Sequence, residues 1–184
     1  FSGNLTGNVT GNTSGSSGSC TGNAATATAL ASARNIGGVS FDGTGNIDLP
    51  GVNAGPSFSA RISSNQSVSS ATYTKMACAT EDWDTDSKYD ASTNYRFTPT
   101  VAGYYQFNIS MRSNSANTNG LALYKNGSLW KRQFVSADRY VHISVLAVSD
   151  TDDYFEAFGY TEEGSSFDST DTNNYFQAHF VRGA

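Results

Sequence analysis

The chain has 184 residues, 16 acidic against 11 basic side chains, and a formal net charge of -5. Nucleic-acid binding and attraction to an anionic membrane both need a basic surface, so this charge argues against nucleic-acid partners and membrane association. The sequence holds no apolar run long enough to cross a bilayer, and we expect no membrane insertion. Because the chain begins at Phe1 within a repeat, we expect a fragment of a longer polypeptide.

The N-terminal segment repeats glycine at intervals of four, at positions 3, 7, 11 and 15, and again at 18 and 22. Collagen needs glycine at every third position, so a collagen triple helix is excluded. In an extended chain the glycines share one face with Leu5 and Val9, while Ser, Asn and Thr share the other. A single ribbon cannot bury so thin an apolar side, but identical chains around an axis can. We predict a fibrous stem that needs sister chains; the alternative is a disordered linker.

Residues 24–35, AATATALASARN, are rich in alanine and predict a short helix that ends at Gly37 and Gly38. The next stretch, VSFDGTGNIDLPG, predicts two brief strands around an Asp42-Gly43 turn. Each piece is too short to be stable alone. Phe1 and Phe41 are the only aromatic residues before position 57, whereas most of the 18 glycines lie there. This change of composition predicts a stem over residues 1–53 and a separate head over residues 58–184.

The head has the pattern of an all-β sandwich, because strands and turn residues follow one another without a helical period. In AGYYQFNISM (102–111), Tyr105, Phe107, Ile109 and Met111 alternate with polar residues. Asn126-Gly127 predicts a hairpin turn. Further strands are predicted at VHISVLAV (141–148), DYFEAFGY (153–160) and NYFQAHFV (174–181). In the last of these, Gln177 and His179 share one face, opposite Phe176, Ala178 and Phe180. We expect one of the two faces in the core and the other at the contact between three chains.

The head resembles the globular domain of the complement component 1q family, which has a tumour-necrosis-factor-like jelly-roll fold and forms trimers. The resemblance lies in FSARI (58–62), YDASTNYRFTPTVAGYYQF (89–107), LALYKNG (121–127) and the closing NYFQAHFV. Asn94 stands where that family usually has a turn glycine. We expect the turn to survive, because asparagine tolerates a left-handed backbone.

The stem resembles the repeat segments of bacteriophage tail fibres, in LTGNVTGN and in the run from AATATALASARN to GVN, over nearly all of residues 5–53. Together the two resemblances imply the distal part of a homotrimeric tail fibre of a virion, with an intertwined β-rich stem and jelly-roll heads. Upstream fibre or baseplate proteins would be its structural partners. Its other partner would be a bacterial cell-surface polysaccharide or an outer-membrane receptor.

If the C-terminus lies at the stem end, as in the family that the head resembles, strand counting places three connections at the far end: 113–119, 136–140 and 162–173. Their amides, charges and aromatic rings suit contact with a glycan or protein. The alternative is that they are ordinary hydrophilic loops. The candidate receptor-binding residues are Asn114, Asn117, Asn119, Arg139, Tyr140, Glu162, Phe167, Asp168, Asp171 and Asn173.

The sequence offers little for catalysis or metal binding. Asp82, Asp84 and Asp86 resemble the start of a calcium loop, but an EF-hand would need glycine and glutamate where Ser87 and Thr93 stand. A calcium site of another geometry stays open here, and we read the acidic runs at 150–153 and 168–171 as solvated turns.

No nucleophile elbow is visible, and His142 and His179 lie in predicted strands as structural residues. A pair of acidic residues for glycoside cleavage stays open at this point, because any two of the 16 acidic residues can meet in space. We predict no enzyme and no cofactor, with Cys20 and Cys78 as free thiols.

The sequence therefore favours a non-enzymatic fibre tip for host attachment. Two alternatives remain: a purely structural trimerisation or capping domain of a fibre, and the head of a bacterial surface filament.

Overall fold

The computed structural model describes residues 10, 30, 32–49, 55–168 and 173–184. The chain divides into two compact units, Phe1–Asp48 and Leu49–Ala184. The glycine repeat, Cys20, Asp171 and most of the predicted helix lie outside the described residues.

The first unit contains a hairpin of β1 (Arg34–Ile36) and β2 (Val39–Phe41). Gly37 and Gly38 form its turn, with φ of 59° and 88°, a backbone that glycine adopts without strain. The predicted helix is therefore wrong at residues 34–35, which are in a strand. The predicted hairpin around Asp42-Gly43 is also wrong, since the turn between the two strands is formed by Gly37 and Gly38. Asp42 instead closes a local turn through its carboxylate, which accepts from the Thr44 amide at 2.9 Å.

The second unit is built from strands and turns, and its described residues contain no helix. Its strands are β3 (Ser57–Arg61), β4 (Gln66–Val68), β5 (Thr74–Lys75), β6 (Thr80–Asp84), β7 (Tyr89–Asp90), β8 (Arg96–Phe97), β9 (Gly103–Arg112), β10 (Asn119–Lys125), β11 (Ser128–Val135), β12 (Tyr140–Ser149), β13 (Phe155–Thr161), β14 (Ser165–Phe167) and β15 (Tyr175–Arg182).

These strands form two large antiparallel sheets and a short ribbon. The first sheet has the order β11-β10-β13-β8-β7, with β5 on β13. The second has the order β12-β9-β15-β3-β6, and β14 pairs with β4 alone. From β8 to β13 the chain passes between the two sheets at each connection except the β10–β11 hairpin. The predicted all-β sandwich is confirmed.

The strands predicted from alternation are present, and their buried faces are the expected ones. In β9, Tyr105, Phe107 and Ile109 are almost fully buried. Asn126 and Gly127 have φ of 52° and 73°, as a tight hairpin turn between β10 and β11 requires. In β15, Phe176 and Ala178 face the core, while Gln177 and His179 lie on the outward face.

Aromatic rings fill the space between the sheets. The ring of Phe58 on β3 stacks on Tyr89 at 4.5 Å and on Phe97 at 4.6 Å, and meets the edge of Phe176 at 4.9 Å. These four side chains come from both sheets and are buried. Such offset and edge-to-face pairs add to the area that each ring buries, so this cluster holds the two sheets together.

The turn that contains Asn94 differs from the expectation. The left-handed residue is Tyr95, with φ of 48°, and not Asn94. Asn94 instead donates through its backbone and side-chain amides to the Asp90 carboxylate, at 3.1 and 2.8 Å. Asp90 accepts further bonds from the Ser92 and Thr93 amides, and these contacts fix the turn in place of a glycine.

Candidate functional site

Three connections between strands meet at one end of the sandwich: 113–118, 136–139 and, of the last connection, the described residues 162–168 and 173–174. We call this surface the three-loop end. The Ser113 amide donates to the Arg139 carbonyl at 2.8 Å, and the Glu162 amide donates to the Thr118 carbonyl at 2.9 Å. The Asn114 amide donates to the Ser166 carbonyl at 3.0 Å. Each connection is thus bonded to another, and the three form one continuous surface.

The connections at 126–127 and 150–154 lie at the opposite end of the strands. Asn126 and Tyr154 exchange two hydrogen bonds, from the Asn126 amide to the Tyr154 carbonyl at 3.0 Å and from the Tyr154 amide to the Asn126 side chain at 2.9 Å. Arg182 pairs with Tyr104 at the start of β9, so the last strand ends there too. Gly55 lies against Phe180 near that same end.

Asn119 is one of the predicted receptor contacts, but it is fully buried in the protomer. Its side-chain amide donates to the carbonyls of Ser115 at 2.8 Å and Asp138 at 2.6 Å, with a longer contact to Asn117 at 3.3 Å. One amide therefore satisfies carbonyls from two loops. Asn119 therefore fixes the loop backbones from inside the fold and is not accessible to a receptor.

Phe167 is also fully buried, so it cannot cover a sugar ring in this protomer. Its ring packs directly against Gly159, close to the thioether of Met111. A Cβ added at Gly159 would lie only 2.3 Å from the Phe167 ring and 2.6 Å from the Met111 sulfur. The flanking residues Ser165 and Ser166 pair with β4. Phe167 is a core residue that holds the β14 ribbon on the sandwich.

Asp168 takes part in a partly buried polar cluster at the same end. Its carboxylate forms an ion pair with Arg112, and its backbone carbonyl accepts from the Asn174 side chain. Asn174 is fully buried, and its side-chain oxygen accepts from the Arg112 amide at 2.7 Å. Asp168 therefore mainly joins the last connection to β9.

The remaining predicted contacts are accessible. Asn114, Arg139, Tyr140 and Glu162 are exposed, whereas Asn117 and Asn173 are half-buried. Asn117 donates to the carboxylate of Glu163, an exposed residue that the sequence did not single out. The Arg112 guanidinium lies 5.8 Å from the ring centroid of Tyr140. The exposed surface thus combines amides, one cation, carboxylates and one aromatic ring.

A second surface, which sequence reasoning missed, is apolar. Apart from Tyr140 of the three-loop end, most of the exposed large hydrophobic side chains of the second unit lie on β11 and β12: Leu129, Trp130, Phe134, Leu146 and Val148. These strands are neighbours, and each is the last strand of its sheet. We call this surface the apolar edge. The sequence signal for this surface is SLWKRQFV, in which large apolar side chains fall on both faces of β11.

The acidic residues that suggested a calcium loop have protein partners. Asp82 accepts from Arg61 and from Ser59, both at 2.9 Å, and Asp84 accepts from the Tyr89 amide at 2.7 Å. Within the part of the chain that the structure describes, His, Cys, Asp and Glu form no group of three arranged around a metal position. His142 and His179 are exposed on strands.

Cys78 is a free thiol in the core. Burial raises its pKa to about 12, against a smaller opposing effect of the hydrogen bond with Tyr89. A thiol protonated at neutral pH is a poor nucleophile.

Over the described ranges, no helix has the length and hydropathy that a bilayer crossing requires.

Comparison by sequence finds no matching family model and no matching curated protein. Comparison by structure finds murine APRIL in its crystal form at pH 8.0, with a TM-score of 0.58 and 9% identity, over 70% of this chain and 100% of that one.

Two further solved structures are similar at a TM-score of 0.49. The globular domain of zebrafish complement 1qA is 15% identical over 70% of this chain and 99% of that one. Eiger TNF from S. frugiperda is 10% identical over 71% and 93%. At these identities structural similarity shows the fold and no function. With its strand order, the likeness to APRIL shows that the second unit has a jelly-roll fold of the kind found in APRIL.

Proposed function

We propose that the chain is the distal part of a homotrimeric bacteriophage tail fibre, whose heads bind a glycan or protein on the bacterial surface without catalysis. The observation that carries this proposal is the three-loop end, where Asn114, Arg139, Tyr140 and Glu162 are exposed side by side on backbones fixed by mutual hydrogen bonds. Binding residues on loops that a rigid scaffold positions are the common arrangement in recognition proteins. The resemblance of the stem to tail-fibre repeats supplies the viral context.

The apolar edge supports self-association. A protein seldom leaves so many large hydrophobic side chains on two adjacent edge strands, since such an edge invites aggregation unless a partner covers it. Leu146 and Val148 on β12 are 51% and 43% exposed, and Leu129 and Trp130 on the adjoining strand β11 are 44% and 42% exposed.

The second patch that a ring of three copies needs is the outward face of the five-stranded sheet. A cyclic trimer joins two different patches of each copy. On this face the Gln106 amide donates to Ser144 at 3.0 Å, and the Ser144 hydroxyl donates to Asn108 at 2.9 Å. Trp83, 50% exposed, lies at the far edge of the same sheet. Leu146 and Val148 lie on the same side of β12 as Ser144 and so belong to this face. Seating β11 of one copy, with its exposed Leu129, Trp130 and Phe134, against this face of the next closes the ring.

Assembly is tested by the mass of the folded particle in dilute solution, measured by light scattering. We expect three times the 19.5 kDa chain mass. The double variant Leu146→Asp with Val148→Asp places charges on the apolar edge and should dissociate the particle. Ser69→Asp adds a charge at an exposed site outside that edge and should leave the trimer intact. A monomeric parent chain would overturn this part of the proposal.

Adhesion is tested by pull-down of the trimer on host cells and on purified envelope polysaccharide. The parent should bind in at least one assay, and Asn114→Ala with Arg139→Ala should weaken binding while the particle mass is kept. Three heads amplify weak single contacts by avidity, so the trimer is the species to assay. If whole virions bind while the trimer binds neither material, the adhesion proposal fails.

The apolar edge also favours a second candidate, a head that only trimerises and caps the fibre while another protein touches the host. The exposed loop residues discriminate between the two. If virions carrying Asn114→Ala, Arg139→Ala and Glu162→Ala keep infectivity and host range, the capping function is the correct one.

A further inference from the structure

A groove of about 330 Å³ lies beside β7 and β8, away from the three-loop end. It is lined by Ser87, Lys88, Asp90, Arg96, Thr98 and Thr100. Arg96 pairs in register with Glu156 near the start of β13, whereas the three-loop end begins beyond Thr161 at its close. The groove is thus at the opposite end of the strands.

Two cations, Lys88 and Arg96, line this groove together with the carboxylate of Asp90. Among the described residues, neither Lys88 nor Arg96 forms an ion pair. The Arg96 guanidinium lies 4.6 Å from the ring centroid of Tyr154. Stacking on an aromatic face fixes the guanidinium plane and leaves its N–H groups free to bond in that plane. Arg96 is thereby held ready to bind a planar or tetrahedral anion.

The carboxylates that flank Arg96 in the sheet are engaged elsewhere. Asp90 accepts from the amides of Thr93, Ser92 and Asn94, and these bonds, led by that from Thr93, hold its pKa below its usual range. Glu156 is bound by the Lys75 ammonium at 2.6 Å. Both carboxylates thus already have donors, and neither occupies the guanidinium of Arg96.

We propose that this groove binds an anionic sugar, with its carboxylate or phosphate held by Arg96 and Lys88. A bidentate contact from a guanidinium suits either group, and the ammonium adds a second charge. The hydroxyls of Ser87, Thr98 and Thr100 can donate to and accept from sugar hydroxyls. The volume lies at the small end of the range for ligand pockets, which suits one or two sugar rings.

The net charge of the chain bears on which sugars the groove selects. With a net charge of -5, the protein repels anions at long range, so any affinity comes from the local cations. Binding should therefore select strongly against neutral sugars and weaken with salt. The groove does not depend on the adhesion proposal, because it is a separate surface with a separate readout.

The test is a titration of the full chain, followed by calorimetry and by amide NMR shifts. The probes are a galacturonic acid trisaccharide for the carboxylate, glucose 6-phosphate for the phosphate, and a neutral galactose trisaccharide. We expect at least one anionic probe to bind, with shifts around residues 87–100, and the neutral probe to bind at least about tenfold more weakly. Raising NaCl from about 50 to about 500 mM should weaken binding several-fold.

Variants connect that binding to the two cations. Arg96→Gln should weaken binding by about tenfold or more, and Lys88→Gln should do so without touching the Tyr154 contact. Arg34→Gln, the same change at an exposed residue of the first unit, is the matched control and should bind as the parent does. Equal binding of neutral and anionic probes, binding of no probe, or parent-like binding by both groove variants would overturn the proposal.

Discussion

The ammonium of Lys125 lies 2.7 Å from a carboxylate oxygen of Asp153, whose side chain is only 6% exposed. The Asn126 side chain donates to the other oxygen at 2.6 Å, and the Asp150 amide adds a bond at 2.9 Å. Burial raises the pKa of Asp153, but the bonds from Lys125, Asp150 and Asn126 together lower it by more. The pKa therefore lies below its ordinary value.

This cluster predicts a dependence of stability on pH. A carboxyl whose pKa is lower in the folded state stabilises the fold above its unfolded pKa of about 3.9, and that contribution is lost as pH falls through the folded pKa. Asp153→Asn leaves Lys125 without its counter-charge and should cost about 3 kcal/mol at neutral pH. The difference from the parent should shrink below about pH 4, in urea unfolding at one fixed protein concentration.

Asp152→Asn is the matched control, because Asp152 is exposed on the same turn and should change stability by less than about 0.5 kcal/mol. An equal loss in both variants would contradict the assignment. So would a loss for Asp153→Asn that persists unchanged in acid.

The contact between Gly159 and Phe167 predicts that a single methyl group is harmful. A Cβ at Gly159 would lie 2.3 Å from the Phe167 ring, and both residues are buried. Although Gly→Ala changes often stabilise through the unfolded chain, the overlap decides the sign here. We expect Gly159→Ala to lower the free energy of unfolding by about 1–3 kcal/mol. Gly183→Ala, with no atom within 4 Å of the new carbon, should be nearly neutral, and equal effects of the two would refute the argument.

Asn119 and Asn117 should separate stability from binding. Asn119→Ala removes an amide that serves carbonyls of two loops, so it should cost about 2 kcal/mol and speed hydrogen exchange at residues 113–118 and 136–139. Asn117→Ala should leave stability within about 0.5 kcal/mol and weaken binding of the trimer to host cells. The reverse pattern would place the receptor contact inside the fold and contradict the site.

Cys78 should resist alkylation in the folded protein. The thiol is fully buried, and its pKa of about 12 leaves almost no thiolate at pH 8. Peptide mass spectrometry after iodoacetamide treatment should find Cys78 unmodified in buffer and modified in urea. Rapid labelling in buffer would show that the core opens around β6.

Short sequence patterns predicted the strands and turns that depend on residues close together in the chain. Alternation in β9 marked Tyr105 and Phe107 as core residues, and Asn126-Gly127 marked a turn that needs two positive φ angles. The hairpin of the first unit was misplaced because Gly37-Gly38 and Asp42-Gly43 are both good turn sequences. The choice between them depends on which flanking residues pair, and short segments do not encode that choice strongly.

The site was harder to predict, because loop residues of similar polarity differ in burial. Asn119 and Asn114 have the same side chain and neighbouring positions, yet Asn119 is enclosed under three loops and Asn114 is exposed. The side chain of Asn119 donates to the carbonyl of residue 138, and that of Asn114 donates to the hydroxyl of residue 166. Both partners are distant in sequence, so the local sequence does not reveal them. The apolar edge and the Lys88–Arg96 groove likewise depend on which strands end their sheets, and this is set only by the complete topology.

The buried side chains beneath the three-loop end have a consequence for evolution. Because Asn119, Asn174 and Phe167 hold the loop backbones from inside, the outward side chains at 114, 139 and 162 can change identity without removing those bonds. We therefore expect the buried residues to tolerate few substitutions and the outward positions to tolerate many. A library randomised only at those outward positions should yield folded variants at high frequency, and the head would serve as a scaffold for new binding specificities.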